Sequence, residues 1–387
     1  MTGPLVERVR QRLAGTGNLG LDAELTAAAG RESAYLLDAS ALSELSGQVR
    51  AELTGAGPLE PLLADPAITD VLVNGADQVW LDRGRGLERS PVRFEGDAEV
   101  RRLATRLAAQ AGRRLDDAMP FVDAVLADGT RLHAILPPLV QRPTLSLRIL
   151  GRRRLTIGNL IEFGALTAGL AALLAAVVRA RLSVLISGGT GTGKTSLLGA
   201  MLAGVAANER IVTIEDAAEL CIEHPHVVAL LARTANVERA GAVALAELVR
   251  QALRMRADRL VVGEFRGAEI VELLAALNTG HSGGAATVHA NSVADVPARL
   301  VALAALAGMP ADTLSAQAAS ALDVLVHIRR DQAGTRRVDQ LALWPRQHGL
   351  SPQLIWTRAA GFGPAADELA ARLVLAGVEP PPMLASR

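Results

Sequence analysis

Eight consecutive residues, Gly188, Gly189, Thr190, Gly191, Thr192, Gly193, Lys194 and Thr195, follow an apolar run over 182–187 and open a helical pattern over 195–206. The spacing is G-x-x-x-x-G-K-[ST], and a strand before it with a helix after it is the context in which such a loop cradles phosphate. The glycines let successive backbone N–H groups turn inward and approach phosphate oxygens. The helix start adds uncapped donors and the positive end of a dipole. Lys194 supplies a compact charge for β- and γ-phosphates, and Thr195 a hydroxyl for Mg²⁺. Ser196, one position on, completes the nucleotide-binding set. A loop of this kind specifies an α/β sheet whose ligand sits at the C-terminal ends of its strands. The ligands it implies are a nucleoside triphosphate and Mg²⁺; a kinase or a switch GTPase would share this loop, so the loop alone does not name the reaction.

Composition sharpens the argument at one position. Of the 40 basic residues, 39 are arginine and one is lysine, and that one is Lys194. Arginine's broad planar fork is a poor substitute where a point charge must reach between phosphates. The 40 basic residues balance 40 acidic ones, so there is no global electrostatic footprint for nucleic acid. Nine aromatic side chains in 387 residues also argue against a single-strand stacking platform. A 50% hydrophobic content excludes wholesale disorder, and the single cysteine, Cys221, excludes a disulfide scaffold. The best uncharged stretch for a membrane span, 163–178, is mostly alanine and leucine and shorter than the about 20 residues a spanning helix needs, so it reads as a buried helix. Residues 1–10 carry Glu7, Arg8 and Arg10 and lack the apolar core of a secretory signal.

Periodicity divides the chain. Residues 1–55 read as a helical N-terminal extension, with Leu5, Val6, Val9 and Leu13 at roughly helical spacing. Residues 56–150 read as a mixed α/β domain. Its expected strands are 68–73, 78–81, 121–126, 131–135 and 144–150, with one amphipathic helix over 100–111. Residues 151–160 open on a basic joint and read as a linker. Over 161–345, strands at 182–187, 210–214, 227–231, 259–262 and 285–288 alternate with helices at 168–179, 195–206, 245–254, 268–277 and 296–307. That alternation predicts a parallel sheet covered on both faces. A hairpin over 323–328 and 337–343 follows, then a Pro- and Ala-rich tail, 346–387, with weak signal.

Acidic groups gather around the loop in sequence. Glu264 ends the apolar strand 259–262 and is the candidate for holding Mg²⁺ or a metal-bound or attacking water. Thr213-Ile-Glu215-Asp216-Ala-Ala-Glu219 brings three carboxylates to the edge where ligands bind. One of them can polarise water; Glu215 and Glu219 are both candidates. His281 and His289 flank the strand 285–288 in glycine- and polar-rich turns and are candidates for a γ-phosphate sensor at that same edge. Cys221, Glu223, His224 and His226 lack any recognised zinc spacing. Arg250, Arg254 and Arg256 line a helix approaching Glu264; they answer phosphate charge across a subunit boundary or solvate a face.

Taken together these motifs resemble the secretion-system and pilus ATPases, the family that spans type II and type IV secretion motors. The phosphate loop, the box 213–216, Val261-Val-Gly-Glu264 and the histidine region 280–292 occur in that family's order. The likeness is closest to its tight-adherence (Flp pilus) branch, also labelled conjugal-transfer-associated. Gly57-Pro-Leu-Glu-Pro-Leu-Leu63, Val71-Leu-Val-Asn-Gly75, Gly112-Arg-Arg-Leu-Asp116, Val122-Asp-Ala124, Asp128-Gly-Thr-Arg131 and Leu145-Ser-Leu-Arg148 belong to it too. Phe265 and His133 depart from that branch's usual residues.

The resemblance covers about 55–345 and implies more than the residues do. It implies a RecA-like P-loop ATPase domain preceded by a smaller N-terminal α/β (PAS-like) domain. It implies a homo-hexameric ring with ATP at the junction of the two domains, where Arg131 and Arg148 reach the phosphates. The motor would be cytoplasmic, peripheral at the inner face of the cytoplasmic membrane, without a transmembrane segment. Its partner would be an inner-membrane platform protein of a pilus, secretion or conjugation apparatus, with no direct nucleic acid expected. The alternative is a RecA-like nucleic-acid motor, which shares the core.

Overall fold

The hydrophobic pattern resolves into two units, Met1–Leu150 and Gly151–Arg387. The computed structural model describes residues 55–84, 86–149, 154–233, 241–331, 333–346 and 351–385. The helical extension expected over 1–55 lies outside them, save its last residue.

In the first unit a 3-10 turn, Gly57–Leu59, leads into α1 (Glu60–Ala64). Strands β1 (Asp70–Asn74), β2 (Val79–Asp82) and β3 (Leu87–Arg89) come next, then α2 (Asp97–Gln110). Strands β4 (Phe121–Val125), β5 (Arg131–Ile135) and β6 (Thr144–Arg148) complete the unit. The six strands form one antiparallel sheet in the order β3-β2-β1-β6-β5-β4. β3 is fully exposed, which is why no hydrophobic pattern announced it. Helix α2 buries Val100, Leu103, Ala104, Leu107 and Ala108, the stripe an amphipathic helix offers a sheet. That stripe shares a core with Val71, Val73, Leu132, Leu145 and Leu147. Arg142 fastens the start of α2 to the β1–β2 turn, donating to Asp97 from Nε at 2.9 Å and to Asp77 at 2.6 Å. Its guanidinium holds both carboxyls below the usual range. Gly75, at φ +96°, turns the chain beneath it, and a side chain there would collide with the guanidinium.

The second unit begins with α3 (Ile157–Glu162), closed by a Thr156/Asn159 capping box, and α4 (Ala168–Arg179). The segment expected as a linker is therefore helical from Ile157 onward, and Leu160 is buried in this unit's core. Next come β7 (Val184–Ser187), α5 (Lys194–Leu202), β8 (Ile211–Glu215), β9 (Val227–Leu231), α6 (Leu245–Ala252), β10 (Arg259–Val262) and α7 (Glu269–Asn278). Then follow β11 (Ala285–Val288), α8 (Val296–Ala305), α9 (Ala311–Ala321), β12 (Val324–Arg330) and β13 (Arg336–Leu343).

One nine-stranded sheet organises the unit. Its order is β15-β14-β13-β12-β7-β11-β10-β8-β9, and β12 through β9 run parallel. Alternate strand residues feed two cores. Val184 and Ile186 of β7 and Val324, Val326 and Ile328 of β12 join α4 and α5. Leu185 and Leu325 join α6, α7, α8 and α9 on the opposite face. Being covered on both faces explains the unbroken apolar runs of β7, β10 and β11. Helix α9 was not expected: among its eleven residues Leu314 is the one large aliphatic side chain.

The tail also differs from expectation. Its strands β14 (Gln353–Thr357) and β15 (Gly361–Phe362) extend the sheet antiparallel from β13. Helices α10 (Ala366–Leu375) and α11 (Pro382–Ala385) follow, and Ile355, Leu369, Leu373 and Leu384 pack into the α4 core. Asp323 secures the join: Oδ2 accepts from Ser183 N at 2.9 Å, and Oδ1 faces Arg346 and, at 3.3 Å, Arg372. No helix among the described residues is long and apolar enough to cross a membrane.

Candidate phosphate-binding site

Strand β7 lies between β11 and β12, and the glycine loop leaves its C-terminal end to enter α5. Ser187 Oγ lies 3.0 Å from His327 Nδ1 on β12. Gly188 presses against the carbonyl of Ile328 so closely that a Cβ would collide with it. Gly191 at φ +70° and Gly193 at φ +95° take left-handed turns, which a glycine adopts without penalty. Gly193 is the N-cap of α5, and Thr192 Oγ1 closes the loop by donating to Gly189 O at 2.9 Å. Thr190 is exposed at the tip; Thr195 is half-buried and Ser196 exposed on the first turn of α5.

Lys194 is buried, and Nζ donates to Gly188 O at 3.1 Å and Gly189 O at 2.9 Å. Burial pulls its pKa down, while Glu264 and Glu219 oppose that. Nζ also lies 3.2 Å from Nδ1 of His289, just beyond β11. The other ring nitrogen, Nε2, contacts Oε1 of Glu264, just beyond β10. Glu264 Oε2 in turn accepts from Arg266 at 2.8 Å. The four side chains thus form a continuous line, Lys194–His289–Glu264–Arg266. Burial and the neighbouring Lys194 charge push the His289 pKa down, against the pull of Glu264. A neutral imidazole can accept from the ammonium at Nδ1 while its Nε2 edge rests against the carboxylate.

Glu215 ends β8, beside β10, and is buried. Its Oε1 accepts from Glu219 N at 3.1 Å and Leu220 N at 2.9 Å. Gly263 makes room for it, since a Cβ there would lie 2.7 Å from Glu215 Cγ. Burial pushes this carboxyl up to about 7, against the two backbone donors. Glu219 is half-buried on the same turn, where its charge acts on both Lys194 and Arg266.

The raised carboxyl has a measurable consequence. The folded chain keeps this proton up to about pH 7, whereas an unfolded one releases it near 4.5. Its contribution to stability is therefore full below pH 4.5 and is lost as the pH rises through 7. Glu215→Gln is expected to remove that loss, about 3 kcal/mol by pH 8. Urea unfolding of both proteins at pH 5 and pH 8 measures it, and equal pH slopes would reject the buried-acid assignment.

Two expectations need correction. His281 precedes β11 and sits at the opposite, N-terminal edge of the sheet, its Nδ1 3.2 Å from Ala276 O. The structure therefore separates it from His289. Helix α6 leads to the start of β10 rather than to Glu264, and Arg250 pairs with Glu247 at 2.8 Å and Glu272 at 2.9 Å. His224 Nδ1 accepts from the backbone N–H of His226 and its Nε2 lies 3.1 Å from Ala206 O, and burial pushes the Cys221 thiol up. Arg131 and Arg148 are register partners on β5 and β6 in the first unit, and Arg148 Nε donates to Asp70 Oδ1 at 2.9 Å. Arg266, His327 and Arg336 were not singled out by sequence. Arg336 Nε donates to Gly191 O at 2.9 Å.

A buried lysine in a glycine loop at the head of a parallel sheet, with an acid and a histidine arriving from the next two strands, defines a P-loop nucleotide-binding protein of RecA-like fold. Within that class the chain belongs to the type II/IV secretion system protein family, whose model matches residues 52–345. It is 53% identical over 329 residues to the putative conjugal transfer protein Rv3659c of Mycobacterium tuberculosis H37Rv, covering 83% of this chain and 94% of that protein. It is 30% identical over 279 residues to conjugal transfer protein TrbB of Rhizobium radiobacter, covering 71% and 83%. The fold matches the Legionella pneumophila ATPase DotB with a TM-score of 0.52 at 18% identity, over 73% of this chain and 78% of DotB. The family resemblance expected from the motifs is borne out, and the alternative of a RecA-like nucleic-acid motor is not supported.

Proposed function

We propose that this chain is an ATP-hydrolysing motor that works as a homo-hexamer, driving assembly of a tight-adherence or type IV-like pilus or a related secretion or conjugation apparatus. The observation that carries the reading is the line from Lys194 through His289 to Glu264, which joins the phosphate loop to the acid on β10. Lys194 neutralises β- and γ-phosphate charge as it builds up, and the loop's N–H groups orient the chain of phosphates. Glu264, with Glu215 or Glu219, positions and deprotonates the attacking water. His289 packs between Lys194 and Glu264 and keeps the two facing the same site. The Thr195 hydroxyl and the Glu264 carboxylate are the hard oxygen donors that would hold Mg²⁺, which would supply charge neutralisation when bound.

Arg131 and Arg148 are the arginines that the family resemblance suggests as reaching the phosphates. The motor sits in the cytoplasm at the inner face of the membrane and acts on an inner-membrane platform protein. The test is Mg²⁺-dependent ATP hydrolysis by the purified chain, with mass measured by light scattering in the same samples. Hydrolysis that stops with chelator, in particles near six subunits with nucleotide, is the expected result. A strict monomer under all conditions would sink the ring, and no hydrolysis under any condition would sink the motor.

A further inference from the structure

The β12–β13 hairpin carries four arginines to the rim of the phosphate loop. Because β12 runs parallel to β7, with His327 opposite Ser187, its last residues continue beside the loop. Two fastenings fix it there: the Ser187–His327 contact at 3.0 Å and the close approach of Gly188 to Ile328 O. Three of the arginines hold the hairpin itself together. Arg329 pairs with Asp339 at 3.0 Å, Arg337 with Asp331 at 2.9 Å, and Arg330 donates to Gly334 O at 3.1 Å. The fourth, Arg336, leans across to the loop. Its Nε donates to Gly191 O at 2.9 Å, and its Cδ lies 3.3 Å from where a Cβ on Gly193 would be.

Two features of this placement say what Arg336 can touch. It grips the carbonyl of Gly191 on the exposed outer side of the loop, whereas Lys194 is buried within it, so Arg336 stands at the rim of the phosphate cradle. It also arrives from the flank opposite the catalytic acid. In the order β13-β12-β7-β11-β10, Glu264 and His289 come from β10 and β11 on one side, and Arg336 from β13 on the other. A triphosphate with its γ end toward Glu264 therefore extends its sugar and base toward β12 and β13. A guanidinium there is planar, permanently charged and suited to stacking on a heterocycle.

We propose that Arg336 is a nucleoside-binding residue, its guanidinium laid against the base and ribose of the nucleotide held by the same subunit's phosphate loop. This rests on the nucleotide-binding reading above. It makes Arg336 a source of affinity for ATP and ADP alike rather than a contributor to the chemical step.

The test compares nucleotides with inorganic tripolyphosphate, which has the phosphates but no nucleoside, by calorimetry on the full-length chain. Arg336→Gln is expected to weaken ATP and ADP about tenfold while leaving tripolyphosphate unchanged. KM for ATP rises correspondingly and kcat stays within about twofold. Arg336→Lys keeps a cation at the loop but loses the plane, and is expected to show most of the same loss. The melting temperature without nucleotide checks that each variant is folded. A parallel loss of tripolyphosphate would overturn the proposal, placing Arg336 in the shaping of the loop. So would unchanged nucleotide affinity, or full recovery by lysine. Wild-type protein that binds neither ATP nor tripolyphosphate would instead remove the nucleotide reading itself.

Discussion

Glu264→Gln is expected to bind ATP normally and to lower turnover by about 10³-fold. The argument is one of position and charge. Glu264 ends β10, two strands from the phosphate loop, and is tied by one oxygen to His289 and by the other to Arg266 at 2.8 Å. Glutamine has the same shape and its amide oxygen can still accept from Arg266, though more weakly than the carboxylate, so the edge keeps its form. What it loses is the basic oxygen that takes a proton from water and the charge that attracts a metal. Steady-state phosphate release gives the rate, and calorimetry with ATP gives the affinity. Turnover within tenfold of wild type would move the base to Glu215 or Glu219.

Lys194→Ala acts one step earlier. It is expected to raise the dissociation constant for ATP by about 10²-fold or more, with turnover lost as a result. The ammonium is the chain's one lysine and the point charge inside the loop, buried against Gly188 O and Gly189 O. Its removal also lifts the charge that depresses His289. The His289 pKa is therefore expected to rise in the variant, toward the protonated form that Glu264 favours. Imidazole resonances followed by NMR through neutral pH report it. Intact ATP affinity would deny the loop its phosphate role, and an unmoved histidine would deny the coupling between β11 and the loop.

Much of this was legible in the sequence for a physical reason. Strands buried on both faces show as unbroken apolar runs, so β7, β10 and β11 stood out, and the loop's glycines announced their own backbone. Other features left no trace. His281 and His289 share one motif, yet β11 separates them by about 13 Å of strand. Spacing along the chain does not say which end of a strand a residue occupies. Arg266 and Arg336 could not be distinguished because arginine fills every basic position but one. The same bias that made Lys194 conspicuous made them anonymous. In β14 only Ile355 is fully buried, so its periodicity was too faint to read.

That faint tail covers the edge of the sheet. Without it β13, eight residues long, would be the last strand of the sheet and would offer a row of unsatisfied amides and carbonyls. Residues beyond 345 satisfy that row with β14, then stop the ladder with the two residues of β15. A strand that short is a poor template for recruiting another chain. A protein truncated at the limit of the family match is thus expected to be sticky, associating through its exposed ladder into ill-defined aggregates. The segment beyond 345 would then act as a cap that closes the sheet's edge.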